Sequence, residues 1–258
     1  MTARTFEGKI AFVTGATSGI GQGVALAFAR EGATVIGCGR NAPRGAETQR
    51  LVEAEGGAFL FLPMDLGDAA QVAGAVQAAL DRYGRLDCAA NCAGVDVNAG
   101  FLDYTAADFD QIFGTNVRGL FLCLREEVGA MRRGGGGAIV NVGSVSGQRP
   151  SRGNSLYNAS KSAVTMLTRS AAAECAKWGV RINEVAPGPV LTPMLEGYLE
   201  RTAHTDAPMT AESLAARVPL GGILAPKDIA DSVLFLCSPK AGKVTGAVLV
   251  ADGGFVLG

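Results

Sequence analysis

Short apolar runs alternate with longer amphipathic stretches along most of the 258-residue chain. Seven runs read as strands: 9–15 (KIAFVTG), 33–39 (ATVIGCG), 58–63 (AFLFLP), 85–90 (RLDCAA), 137–143 (GAIVNVG), 180–186 (VRINEVA) and 246–254 (GAVLVADGG). They are close to continuously apolar rather than alternating, the pattern of strands covered on both faces, and so predict a parallel sheet. Helical spacing occupies 19–31, 43–55, 68–82, 106–132, 155–177 and 227–237, with Asp68 placed as a cap. This alternation predicts one doubly wound α/β domain, a seven-stranded parallel sheet flanked by helices on both faces. The rhythm breaks at about 190–218, which reads as a helical, mobile insertion over the carboxyl edge of the sheet. Ligands bind at that edge in open α/β sheets.

Composition narrows the function classes. Formal net charge is −1 with both signs interspersed, which argues against a nucleic-acid binder. No apolar run approaches a membrane span, and 10–13 is too short for the apolar region of a signal peptide, so a cytoplasmic protein is expected. Six cysteines without a C-x-x-C pair read as reduced, buried thiols. With His204 as the single histidine, no metal site is expected. Hydrophobic residues make up 48 % of the chain and charged residues 18 %, so more apolar surface is expected to be buried than one copy can cover: a homo-oligomer.

Two local patterns carry chemistry. The first strand runs into TGATSGIG, Thr14 to Gly21. There Gly15 suits a tight turn, Gly19 lets the backbone approach a pyrophosphate, and Gly21 allows close helix packing at an anion-binding helix N-terminus. Further on, YNASK places Tyr157 four residues before Lys161, on one helix face. A surface pair reads the same way. The chemical alternative is that the cation lowers the phenol's pKa so that it can exchange a proton.

TGATSGIG, NCAG (91–94), TNVRG (115–119), VGSVSG (142–147), YNASK and PGPVLTPM (187–194) stand in the order and spacing of the short-chain dehydrogenase/reductases, with Ser144 thirteen residues before Tyr157. The chain resembles that family over nearly its whole length. The resemblance implies a Rossmann-type catalytic domain spanning 1–258, with a substrate lid at about 190–218. It also implies a catalytic set of Asn116, Ser144, Tyr157 and Lys161. Tyr157 is then the general acid and base, and Ser144 hydrogen-bonds the substrate oxygen. Lys161 holds the nicotinamide ribose and charges the phenol's surroundings. Asn116, at a local helix kink, holds a water that links Lys161 to solvent. The implied cofactor contacts are Gly15, Thr17, Ser18, Gly19, Ile20, Gly21, Asp65, Asn91, Gly94, Pro187, Gly188, Val190 and Thr192. Cys92 stands where the family more often has a second asparagine.

The end of the second strand bears on NADP(H) against NAD(H). A carboxylate there would accept both ribose hydroxyls of NAD, but the chain has Gly39 followed by Arg40. A planar guanidinium suits a 2′-phosphate, with Arg44 as a second contact, so NADP(H) is favoured and NAD(H) is the alternative. The expected partner is a small-molecule ketone or secondary alcohol. Gln148, Asn154 and Leu156 are candidate pocket residues, and the assembly implied by the family is a homotetramer or homodimer. A dinucleotide-binding sensor without catalysis is the rival class; it has no need of all four catalytic residues.

Overall fold

The structure is a computed structural model that describes residues 4–203 and 208–257; His204 lies outside them. All seven predicted strands form: β1 (Ile10–Thr14), β2 (Thr34–Gly39), β3 (Ala58–Pro63), β4 (Cys88–Asn91), β5 (Gly137–Val142), β6 (Val180–Pro187) and β7 (Val248–Ala251). They make one parallel sheet in the order β3-β2-β1-β4-β5-β6-β7. The chain reverses its direction of travel across the sheet between β1 and β4. That switch opens a crevice at the strands' carboxyl ends.

Helices cover both faces because successive strand residues point to opposite sides. Ala11 and Val13 of β1 join Val24 and Phe28 of α1 (Gly19–Arg30), Val52 of α2 (Ala42–Ala54) and Ile229 and Val233 of α9 (Pro226–Cys237) in one core layer. Ile10 and Phe12 join Val72 and Val76 of α3 (Ala69–Tyr83), Leu122 and Met131 of α5 (Leu120–Arg133) and Val164 of α6 (Ser155–Cys175) in the other. Local signals set the helix ends. Asp68 accepts from the N–H groups of Ala70 and Gln71 at 2.9 and 3.2 Å, and Gly84 closes α3 at φ 75°. Elsewhere α7 (Pro193–Thr202) and the short α8 (Ala211–Ala215) fill part of the predicted insertion.

The stretch that reads as one helix over 106–132 is broken. α4 (Ala106–Phe113) starts from a Thr105–Asp108 capping box, a π-helical turn occupies Gly114–Gly119, and α5 follows. Such single-turn π segments collect at functional sites. Gly119 fits there because a Cβ would lie 2.8 Å from Leu66 Cβ.

The apolar stripe of α5 carries one acid. Glu127 is fully buried; its Oε2 accepts from Asn91 Nδ2 at 2.9 Å, and its Oε1 has no hydrogen-bond partner among the described residues. Burial pushes its pKa up to about 7 against the opposing Asn91 bond. A group that binds its proton more tightly when folded makes stability fall as pH rises from its unfolded value, 4.5, through about 7. Glu127→Gln therefore removes that dependence. The stability of wild type minus that of the variant should drop by about 3 kcal/mol between those limits, measured by urea unfolding across the pH range.

Candidate active site

β1 delivers Thr14 to the sheet's carboxyl edge, and the glycines that follow cannot carry side chains. Gly15 has φ 68°, and a Cβ on it would lie 2.9 Å from Ala93 Cα. A Cβ on Gly21 would lie 2.2 Å from the Gly15 carbonyl oxygen. Ser18, at the cap position of α1, makes no side-chain capping bond, so the first-turn N–H groups keep no side-chain acceptor. These features fit a pyrophosphate: bare backbone, close packing and a helix N-terminus.

A cavity of about 390 Å³ opens from this loop. Gly15, Thr17, Ser18, Gly19, Ile20, Gly21, Arg40, Asp65, Gly94 and Thr192 all line it. So do residues the sequence did not single out: Asn41, Met64, Leu66, Val95, Thr115, Pro193 and Met194. Asp65 Oδ1 accepts from Gly67 N–H at 2.9 Å. Thr192 caps α7 through Leu195 N–H at 3.3 Å and covers Gly19, whose Cβ would lie 3.0 Å from Thr192 Cγ2.

Several expected contacts do not line this cavity. Asn91 is not in the wall; its amide is turned under the sheet to Glu127 and, at 3.1 Å, to Asn141 Oδ1. Pro187, Gly188 and Val190 are not among the residues that line the cavity. A Cβ on Gly188 would lie 2.8 Å from Asp252 Cβ, and Val190 is buried in a bridge to Leu224. Asn154 is buried and uses its amide on Asn98 and Ser151, at 2.9 and 3.1 Å, so it pins loops instead of lining a pocket. Gln148 is exposed on the surface and Leu156 half-buried in the first turn of α6.

The Ser144, Tyr157, Lys161 and Asn116 side chains gather beside the cavity, next to Gly94 and Val95. Ser144 ends the run from β5 and is 9 % exposed. Tyr157 and Lys161 share one face of α6, with Nζ 5.5 Å from the phenol ring centre and hydrogen-bonded to the Val142 carbonyl at 3.0 Å. A Cβ on Gly94 would lie 3.4 Å from Asn116 Oδ1 and 3.6 Å from Lys161 Nζ. Asn116, on the π turn, clamps Val95 by its N–H and its carbonyl, each at 2.9 Å, and donates to Ser160 Oγ at 3.1 Å.

The electrostatics correct a second expectation. Tyr157 is not lowered: burial pushes it up to about 12, Asp96 adds to this, and a hydrogen bond with Ser144 opposes it. Lys161 is committed to the Val142 carbonyl and lies over the ring, where burial outweighs its pull. Lys161 is itself pushed down to about 8 by burial, against Glu184, Cys92 and Asp96, which favour its charged form. Glu184 is a buried acid of β6, fixed by Thr165 Oγ1 at 3.1 Å and given room by Gly143, whose Cβ would strike its Oε1. The one acid in a strand that is buried along nearly its whole length is the signal that could have found it.

A family model described as enoyl-(acyl carrier protein) reductase matches residues 15–256. The short chain dehydrogenase/reductase astE of Aspergillus oryzae is 38 % identical over 98 % of this chain and 97 % of its own length. The chain belongs to the short-chain dehydrogenase/reductase family. Within that family, an Agrobacterium tumefaciens structure with bound NADP is similar at TM-score 0.88 and 30 % identity, covering 100 % of both chains. A 7α-hydroxysteroid dehydrogenase complexed with NADH and a 7-oxo bile acid is similar at TM-score 0.90 and 29 % identity, over 98 % of this chain and 96 % of that one. As a short-chain dehydrogenase/reductase, the protein is an oxidoreductase whose cofactor is a nicotinamide dinucleotide. Among the described residues no helix is long and apolar enough to cross a membrane.

Proposed function

We propose that the protein catalyses hydride transfer between NADP(H) and a ketone or secondary alcohol, with Tyr157 as general acid and base. The observation that carries this reading is the meeting of Ser144, Tyr157 and Lys161 at the inner end of the glycine-lined cleft. When bound, the nicotinamide supplies or accepts the hydride. The chain's own residues do the rest. The Gly15 to Gly21 loop and the start of α1 hold the pyrophosphate, and Asp65 and Thr192 border the two ends of the cofactor. Lys161 binds the ribose and remains largely protonated at neutral pH, below its pKa of about 8. Tyr157, with its pKa at about 12, carries its proton and donates it to the carbonyl oxygen during reduction. Ser144 hydrogen-bonds the same oxygen as negative charge develops. The high phenol pKa favours the reductive direction; oxidation needs further positive charge beside Tyr157 before the phenol can act as base.

Arg40 and Arg44 support the NADP(H) preference, since both line the cavity just past β2, where Gly39 replaces a carboxylate. The test is the initial rate at 340 nm with NADPH and NADH side by side over a panel of ketones. Wild type is expected to favour NADPH. Arg40→Ala should lower the NADPH-to-NADH ratio of kcat/KM by about tenfold or more, the loss of one charge-assisted phosphate contact. Equal wild-type rates with the two cofactors would remove the role of Arg40 and leave the chemistry standing.

A homo-oligomer is part of the same proposal. Phe109 of α4, Phe121 of α5 and Met166 of α6 are 46, 48 and 59 % exposed, a large apolar display for helices of one chain. Light scattering should give a multiple of 26.3 kDa, the tetramer by preference; a monomer mass at micromolar concentration refutes it. The six cysteines are free, which suits a reducing cytoplasm.

A further inference from the structure

The loop after β4 holds an acid that the reaction as described does not use. Asp96 has a side chain only 8 % exposed. Its Oδ2 meets Arg201 Nη2 of α7 at 3.5 Å, and its Oδ1 is buried without a hydrogen-bond partner among the described residues. A carboxylate oxygen left so is costly unless something donates to it.

The loop that carries that oxygen is hydrogen-bonded on both sides of Asp96. Val95, just before Asp96, is clamped by Asn116 at both its N–H and its carbonyl. Val97, just after it, receives the Tyr104 hydroxyl at 2.9 Å, and the same hydroxyl reaches Gly153 O at 2.8 Å. Asn98 then donates to Gly153 O and Asn154 Oδ1, each at 2.9 Å. Asp96 is thus held in a rigid loop between Val95, in the cavity wall, and the insertion helix α7.

The reacting groups are close: a Cβ on Gly94, two residues before Asp96, would lie 3.4 Å from Asn116 Oδ1 and 3.6 Å from Lys161 Nζ. The charge of Asp96 acts on both Tyr157 and Lys161, and on Tyr104 and Tyr198 as well. Burial holds its pKa above the ordinary carboxylate value, against Arg201, Lys161 and the Val97 N–H, which favour the charged form. What Oδ1 needs is therefore a neutral donor, not another cation.

We propose that Asp96 positions the substrate: its unpartnered carboxylate oxygen accepts a hydrogen bond from a hydroxyl carried near the reacting carbon, so that diols and hydroxyketones are preferred to simple alcohols and ketones. This rests on the oxidoreductase reading above and names a substrate class for it. Asp96 is also a specificity device, because a site built to accept a hydroxyl discriminates strongly against analogues that lack it.

The test is equilibrium binding, read by titration calorimetry, of cyclohexane-1,2-diol, cyclohexane-1,3-diol (cis and trans isomers) and cyclohexanol. Each is titrated into the protein loaded with reduced cofactor, where no hydride can pass. Wild type should bind at least one diol about 10- to 100-fold more tightly than cyclohexanol, the scale of a hydrogen bond to a charged acceptor. Asp96→Leu should bring that ratio below about threefold, with Asp96→Asn between the two, and cofactor binding reports that each variant is folded. A wild-type ratio near one, or an undiminished ratio in Asp96→Leu, overturns the proposal while the oxidoreductase reading stands. Failure of the wild type to take up reduced cofactor overturns both.

Discussion

Tyr157→Phe should lower kcat for ketone reduction by about 10²- to 10⁴-fold, the range for removing a general acid, while cofactor affinity stays within a few fold. The substitution deletes one oxygen. In the proposed mechanism that oxygen is the proton donor, held beside Ser144 and raised to about 12 by burial. Phenylalanine keeps the ring that Lys161 Nζ overlies, so the lysine and its bond to Val142 have no reason to move. Stopped-flow reduction with fluorescence titration of NADPH separates the two effects. A parallel loss of cofactor binding would mean that Tyr157 supports the cleft instead of acting in it.

Gly21→Ala should damage both fold and cofactor binding. A Cβ at that position would lie 2.2 Å from the Gly15 carbonyl oxygen and 2.6 Å from its carbon. Both are backbone atoms, so no side chain can turn away to relieve the clash. Overpacking of this kind costs about 1–3 kcal/mol and sometimes more, which in a chain of this size lowers Tm by about 2–12 °C. The displaced loop is the proposed pyrophosphate cradle, so NADPH affinity should fall by about tenfold or more. Gly74→Ala is the control: Gly74 lies within α3, and a Cβ there would have nothing within 4 Å. Alanine at that position should leave Tm unchanged or raise it slightly. Equal Tm values for the two variants would refute the packing account of Gly21.

The fold is legible in the sequence because its signals are local. Strands buried on both faces are written as unbroken apolar runs, and Asp68 and Gly84 mark the ends of α3 in residue type alone. The break in 106–132 is not visible in the pattern. Ile112 and Leu120 keep helical spacing on either side of the π turn, with Asn116 between them; only the resemblance points to a kink there. The glycine loop is legible for the same reason as the strands, each glycine standing where backbone must meet backbone. Asn91 and Asn154 mislead because a polar residue at a strand or helix end looks alike whether it faces a cleft or a buried partner. Glu127, which claims Asn91, lies 36 residues away. The phenol pKa misleads because proximity to Lys161 is a matter of spacing, whereas burial is a matter of the whole fold. Nothing in the sequence marks Asp96 as the acid that keeps an oxygen without a hydrogen-bond partner among the described residues.

The central claim is that a hydride crosses from the nicotinamide to a carbonyl carbon while Tyr157 delivers the proton. The most direct measurement incubates wild type and Tyr157→Phe with NADPH deuterated on the transferring face of C4 and a mixed panel of ketones and hydroxyketones, with the alcohols read by mass spectrometry. The account predicts an alcohol carrying one deuterium at the carbinol carbon from wild type, and almost none from the variant. Alcohol formed without deuterium, or formed equally by the two proteins, would contradict it.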